Sequence, residues 1–112
     1  MDYPMLINGQ MLTSDTWVEV INPATEEVFA RVPHAIGTHL NKSVAAANSA
    51  QNQWAKTTMA ERRAKIEELS AAVAENEAEF ARIITSEQGK PLPEAIGEVQ
   101  WSAGYLAHTA TL

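Results

Sequence analysis

The feature that most constrains this chain is a change of hydrophobic period at Pro33. Before it, apolar residues alternate or pair as in strands; after it, they recur every three or four residues as in helices. In residues 5–12, Asn8-Gly9 stands between Leu6-Ile7 and Met11-Leu12. Both residues of that pair accept positive φ, which makes it a strong hairpin signal. Residues 17–21, Trp-Val-Glu-Val-Ile, are β-branched and aromatic and read as a strand, and Asn22-Pro23-Ala24-Thr25 reads as a turn. Residues 27–32 alternate as a further strand. Residues 1–33 are thus expected to form a short antiparallel β unit with open edges.

Residues 38–112 are expected to be helical. Thr38 is placed to cap a helix with Leu40, Val44, Ala47 and Trp54 on one side. Thr58-Met59-Ala60-Glu61 has the form of a capping box. The helix it opens carries Ile66, Leu69, Val73, Phe80, Ile83 and Ile84, with Glu61 and Lys65 spaced as an i,i+4 pair. Gly89 and then Pro91 end it. A third helix starts near Pro93 and carries Ile96, Val99, Trp101 and Leu106. The fold class is α+β: a short antiparallel β unit followed by three α-helices. The β unit is too small to cover both strongly apolar helices, so something else is expected to bury the remainder.

Charge narrows the function. Fourteen acidic residues face eight Lys and Arg, for a net charge of −6. The basic residues never cluster beyond Arg62-Arg63, so neither a nucleic acid nor an anionic membrane surface is an expected partner. No apolar run is long enough to span a bilayer and no signal-peptide pattern opens the chain, so a cytoplasmic location is expected. The sequence has no cysteine, hence no disulfide, thiolate metal site or thiol nucleophile.

The remaining candidates for chemistry have plain structural readings. His34, His39 and His108 lack metal-ligand spacing and read as surface or capping residues. Glu94 and Glu98 have acid/base spacing but equally suit a solvated helix face, as do Glu75, Glu77 and Glu79. Gly89, Gly97 and Gly104 are too far apart to cradle a phosphate, and no Ser or Thr stands in a His–Asp frame. From its residues alone the chain is a scaffold without an active site.

The ordered motifs say more. Leu6-Ile7-Asn8-Gly9-Gln10, Val20-Ile21-Asn22-Pro23-Ala24-Thr25-Glu26-Glu27-Val28, Ala45-Ala46-Ala47, Trp54, Ala60-Glu61-Arg62-Arg63 and Glu87-Gln88-Gly89-Lys90-Pro91-Leu92 follow one another along the chain. Together they resemble the N-terminal segment of the NAD(P)-dependent aldehyde dehydrogenases, and the Glu-Gln-Gly-Lys-Pro block is most similar to the succinate-semialdehyde dehydrogenase branch. The resemblance implies an enzyme several times longer, which oxidises an aldehyde to an acid with NAD or NADP. A cysteine thiolate and a glutamate-activated water do the chemistry there. Those groups and the Rossmann-type strands belong to regions absent from these residues. No catalytic or cofactor-binding residue is therefore assigned, and neither NAD nor NADP is expected to bind this segment alone.

Two roles carry over by position. Trp101 and Tyr105 match a helix that borders the aldehyde entry tunnel, although ordinary core packing accounts for Trp101 as well. Some members of the family hold a monovalent cation between backbone carbonyls of the Val20-Ile21 type and an acidic side chain at the Glu87 position, an oxygen donor set suited to a hard ion. The resemblance implies that the partner is the remainder of the dehydrogenase subunit. A different class of function is a standalone assembly module of the same fold, associating with itself or with a full-length subunit through its exposed helix faces.

Overall fold

The computed structural model describes all 112 residues, Met1–Leu112. It has two small antiparallel sheets and four helices, arranged as two compact units. One unit comprises Met1–Asn22 and Glu26–Lys56; the other comprises Pro23–Thr25 and Thr57–Leu112.

The first unit opens with the Asn-Gly hairpin. Strand β1 (Met5–Ile7) pairs with β2 (Gln10–Leu12), and Asn8 and Gly9 both take positive φ, 52° and 72°. Two consecutive left-handed residues match the right-handed twist of the strands they join. Strand β3 (Trp17–Ile21) pairs with β4 (Val28–Pro33), and the register shifts between Val20 and Ile21, leaving Phe29 unpaired as a bulge. Asp2 makes a two-point ion pair with Arg31, whose guanidinium also lies 5.5 Å from the centre of the Trp17 ring. The hydrogen bond from Arg31 holds the Asp2 carboxyl below the usual aspartate range.

Helix α1 (Gly37–Trp54) follows. Its cap is not Thr38. The helix starts earlier because Ile36, in extended conformation, has its carbonyl taken by the first turn while the His39 ring reaches back to the Ile36 N–H. No residue of α1 is buried, and Leu40 and Val44 are 64% and 52% exposed.

In the second unit, the capping box at Thr58 forms as expected. The Thr58 hydroxyl accepts the Glu61 N–H, and the Glu61 carboxylate accepts the Thr58 N–H at 2.6 Å. Glu61 is thereby occupied, so Lys65 pairs with Glu68 instead. The expected long helix is two, which makes four helices in place of three: α2 (Met59–Glu75) and α3 (Glu77–Gln88). The break is Asn76, whose side-chain amide donates to the Ala72 carbonyl. A short polar side chain that satisfies the preceding turn gives the backbone an alternative to continuing the helix. Glu77 and Glu79 then lie in a first turn, where the helix dipole favours them.

Gly89 ends α3 in the left-handed conformation, φ 75°, and a Cβ there would stand 3.0 Å from the Pro23 side chain. The positive φ and the close Pro23 side chain both favour glycine there. Helix α4 (Leu92–Thr109) starts after Pro91 and packs on α2 and α3. Its inward stripe is Ala95, Val99 and Ala103, spaced every four residues. Ala95 and Val99 join Ala81 of α3 in the core, flanked by Val73, Ile84 and Ile96. The small residues let the helix axes approach closely.

Little of the chain is deeply buried. Its accessible surface is 8100 Å², against roughly 6,000 Å² for a folded monomer of this mass. No large side chain is fully buried.

Candidate functional site

The residue types that carry chemistry are mostly engaged in holding helices. Ser70 Oγ donates to the Ala103 carbonyl, Ser102 Oγ to that of Glu98, and Thr109 Oγ1 to that of Tyr105. Each hydroxyl serves a backbone oxygen and none faces a base. Of the histidines, His39 caps α1, His108 sits in the last turn of α4, and His34 is exposed in the segment after β4. Glu98 is ion-paired with Lys90, and Glu94 lies in the first turn of α4, so the two do not share an acid/base role. Glu61 is the other carboxylate held below its usual range, by the hydrogen bond from the Thr58 backbone N–H and then by the one from its hydroxyl.

One concentration of unpartnered apolar surface stands on α4. Trp101 and Tyr105 are one turn apart, and their rings stack with centroids 5.3 Å apart and an interplanar angle of 20°. Residue 101 lies two positions beyond Val99, which rotates it about 200° around the helix, away from the stripe buried against α2 and α3. Trp101 is accordingly 70% exposed and Tyr105 59%. Within this segment, core packing does not account for Trp101. A stacked aromatic pair offers a broad apolar face with two polar tips, suited to an organic ligand or another protein surface and incapable of bond-breaking by itself.

The oxygen donors implied for a cation lie in both units. Val20 and Ile21 belong to β3, and the register shift falls between them; Glu87 is exposed in the last turn of α3, where the dipole disfavours a carboxylate. Backbone carbonyls and a carboxylate are hard-cation donors. No three His, Cys, Asp or Glu side chains gather as a metal site.

Nor do the residues present fit a dinucleotide. Both sheets are antiparallel pairs, and the left-handed glycines, Gly9 and Gly89, belong to a hairpin and a helix C-terminus. A pyrophosphate cradle needs a glycine turn leading from a strand into a helix N-terminus.

Comparison with known proteins decides the family. The sequence model of the aldehyde dehydrogenase family matches residues 11–112. The chain belongs to the aldehyde dehydrogenase family. The segment is 36% identical over 110 residues to lactaldehyde dehydrogenase of Escherichia coli, covering 96% of the chain and 23% of that protein. It is 38% identical over 102 residues to glutarate-semialdehyde dehydrogenase of Pseudomonas putida, covering 89% of the chain and 21% of that protein. The crystal structure of the Escherichia coli lactaldehyde dehydrogenase superposes with a TM-score of 0.94 at 35% identity, covering 98% of the segment and 24% of that chain. Succinate-semialdehyde dehydrogenase from Burkholderia pseudomallei gives a TM-score of 0.92 at 32% identity, covering 97% and 23%. The segment thus spans about a quarter of the length of its relatives. No helix in it is long and apolar enough to cross a membrane.

Proposed function

We propose that this chain is the N-terminal segment of an NAD(P)-dependent aldehyde dehydrogenase that oxidises a small polar aldehyde, of the lactaldehyde or semialdehyde type, to the acid. The observation that carries the reading is the match over residues 11–112 to a family of aldehyde oxidoreductases, with a TM-score of 0.94 to one of its solved members. The segment itself does no chemistry in this reading, because it has no thiol and Ser70, Ser102, Glu61 and Glu98 are engaged in helix contacts, a cap and an ion pair. The cofactor, NAD or NADP, and the bond-breaking groups belong to the rest of the subunit, and the segment's own residues do not fit a dinucleotide.

What the segment contributes is surface. Trp101 and Tyr105 supply an apolar wall that excludes water and orients the aldehyde on its way in. Leu40, Val44 and the other exposed apolar residues of α1 are the face on which the remainder of the subunit, or a neighbouring one, is seated. A cytoplasmic location belongs to the same proposal, and fractionation of source cells with an antibody to the segment tests it.

The test is aldehyde-dependent formation of reduced nicotinamide, assayed for residues 1–112 and for the longer polypeptide that carries them. The longer form is expected to turn over a semialdehyde while residues 1–112 do not. Turnover by residues 1–112, free of host dehydrogenase, overturns the reading. In the longer form, Trp101→Ala is expected to raise KM about tenfold with kcat little changed.

A further inference from the structure

Helix α1 begins without a side-chain cap of the usual kind. Its N-cap residue, Ile36, has no side-chain oxygen, while the first N–H groups of a helix have no intrahelical partner. Part of the need is met from inside the helix. His39, at the third helical position, turns its ring back, and Nδ1 accepts the Ile36 N–H at 3.2 Å. Helix α2 uses the same reach-back bond from the same position, with the Glu61 carboxylate as acceptor.

The two acceptors respond to different pH. A carboxylate stops accepting only in acid, whereas an imidazole changes state between about pH 5 and 8. Nδ1 accepts only in the neutral ring that carries its proton on Nε2. A second proton makes Nδ1 a donor facing a donor and places positive charge at a helix N-terminus, where the dipole disfavours it.

The residues around this bond also form one wall of a cleft. Ala35, Ile36, Gly37, His39, Leu40 and Ser43 face Met5, Leu6 and Ile7 across an apolar space of about 520 Å³. The strand packed there, β1, brings no ionisable group to the ring. On α1 the neighbouring charge is Lys42, and His34 lies in the segment before the helix. We infer that His39 is a pH-sensitive cap: neutral, it fixes the first turn of α1 and the wall of this cleft, and protonated, it releases both.

Hydrogen exchange of the 35–43 stretch, corrected for the intrinsic pH dependence of the rate, tests this on the chain at about pH 7.5 and about pH 5.5. Protection is expected to fall about fivefold at the lower pH, the effect of losing an N-terminal cap. His39→Gln keeps an acceptor at the capping-box position without titrating, so its protection is expected to be the same at both pH values. Unchanged protection in the unsubstituted chain, or an equal fall in His39→Gln, overturns the inference. The ring ¹⁵N spectrum of His39 at neutral pH gives a second reading that needs no variant. The Nε2–H tautomer is expected, and the Nδ1–H tautomer overturns the proposal.

Discussion

The two units meet the demand for burial in opposite ways. The helical unit closes a small core from alanine and valine: Ala81, Ala95 and Val99, with Val73, Ile84 and Ile96 around them. The β-containing unit buries Ile7, Ala30 and Pro33, and its long helix α1 buries nothing. The difference is one of side-chain size and placement. Three helices whose facing residues are small close on one another within the segment, and each helix gains a neighbour on the stripe it offers. Two-stranded sheets are marginal alone and need a further layer on one face. The helical unit thus closes on itself, whereas α1 leaves its apolar side chains open.

The largest effect is expected where the helices touch. Ala95 has no exposed surface, so Ala95→Leu has to push α4 away from its neighbours. It is expected to lower stability by about 3 kcal/mol. Denaturant unfolding followed by helical circular dichroism checks it, and a loss under about 1 kcal/mol denies that the helical unit closes on itself. Gly89→Ala comes next. It forces a Cβ into the left-handed region and against Pro23, and the expected cost is about 2 kcal/mol in the same measurement.

These positions also show what was legible in the sequence. At three places where the backbone needs a particular residue type, the letters announced it: Asn8-Gly9 at the hairpin, Thr58 with Glu61 at the capping box, Gly89 at the helix end. Those features are local, and local sterics and hydrogen bonding decide them. The break at Asn76 was legible in principle, since an asparagine followed by Glu77 and Glu79 is the chemistry of a helix start. Its helical flanks concealed it. The cap of α1 was misplaced at Thr38 because a histidine ring serves where Glu or Gln is the usual signal. Of the apolar residues named on α4, Val99 and Ile96 pack in the core and Trp101 does not, while Ala95 and Ala103 supply the rest of the buried stripe. Of the candidate site, the spacing of Trp101 and Tyr105 was legible as one turn. Their outward direction was not, because it depends on which stripe α2 and α3 cover.

A smaller effect compares the units through their acid-sensitive bonds. Asp2 in one and Glu61 in the other are both held below their usual range, by Arg31 and by the Thr58 backbone respectively. A carboxyl whose folded value is lowered stabilises the fold fully above its unfolded value, and that contribution is lost as pH falls through the folded value. Both bonds therefore act at neutral pH and fade in acid, below about pH 4. Thermal melts between about pH 2 and 6 of the unsubstituted chain, Asp2→Asn and Glu61→Gln check this. Each variant is expected to flatten the acid limb, and parallel curves for all three exclude these carboxyls as its cause.

The smallest effect bears most directly on the contrast. Val44 is 52% exposed on α1, so in the chain by itself Val44→Ala removes little packing. Alanine is also the better helix former, because valine loses side-chain freedom against the preceding turn. The expected outcome in the chain alone is a gain of about 0.5 kcal/mol. In a longer polypeptide that covers this face, the same change removes two buried methyl groups and is expected to cost about 2 kcal/mol. The reversal of sign is the informative quantity, since helix propensity is the same in both settings and only the covering differs. Hydrogen exchange of α1 in each form measures it. A gain in both settings leaves α1 as a solvent-facing helix and removes the distinction between a unit that covers itself and one that is covered.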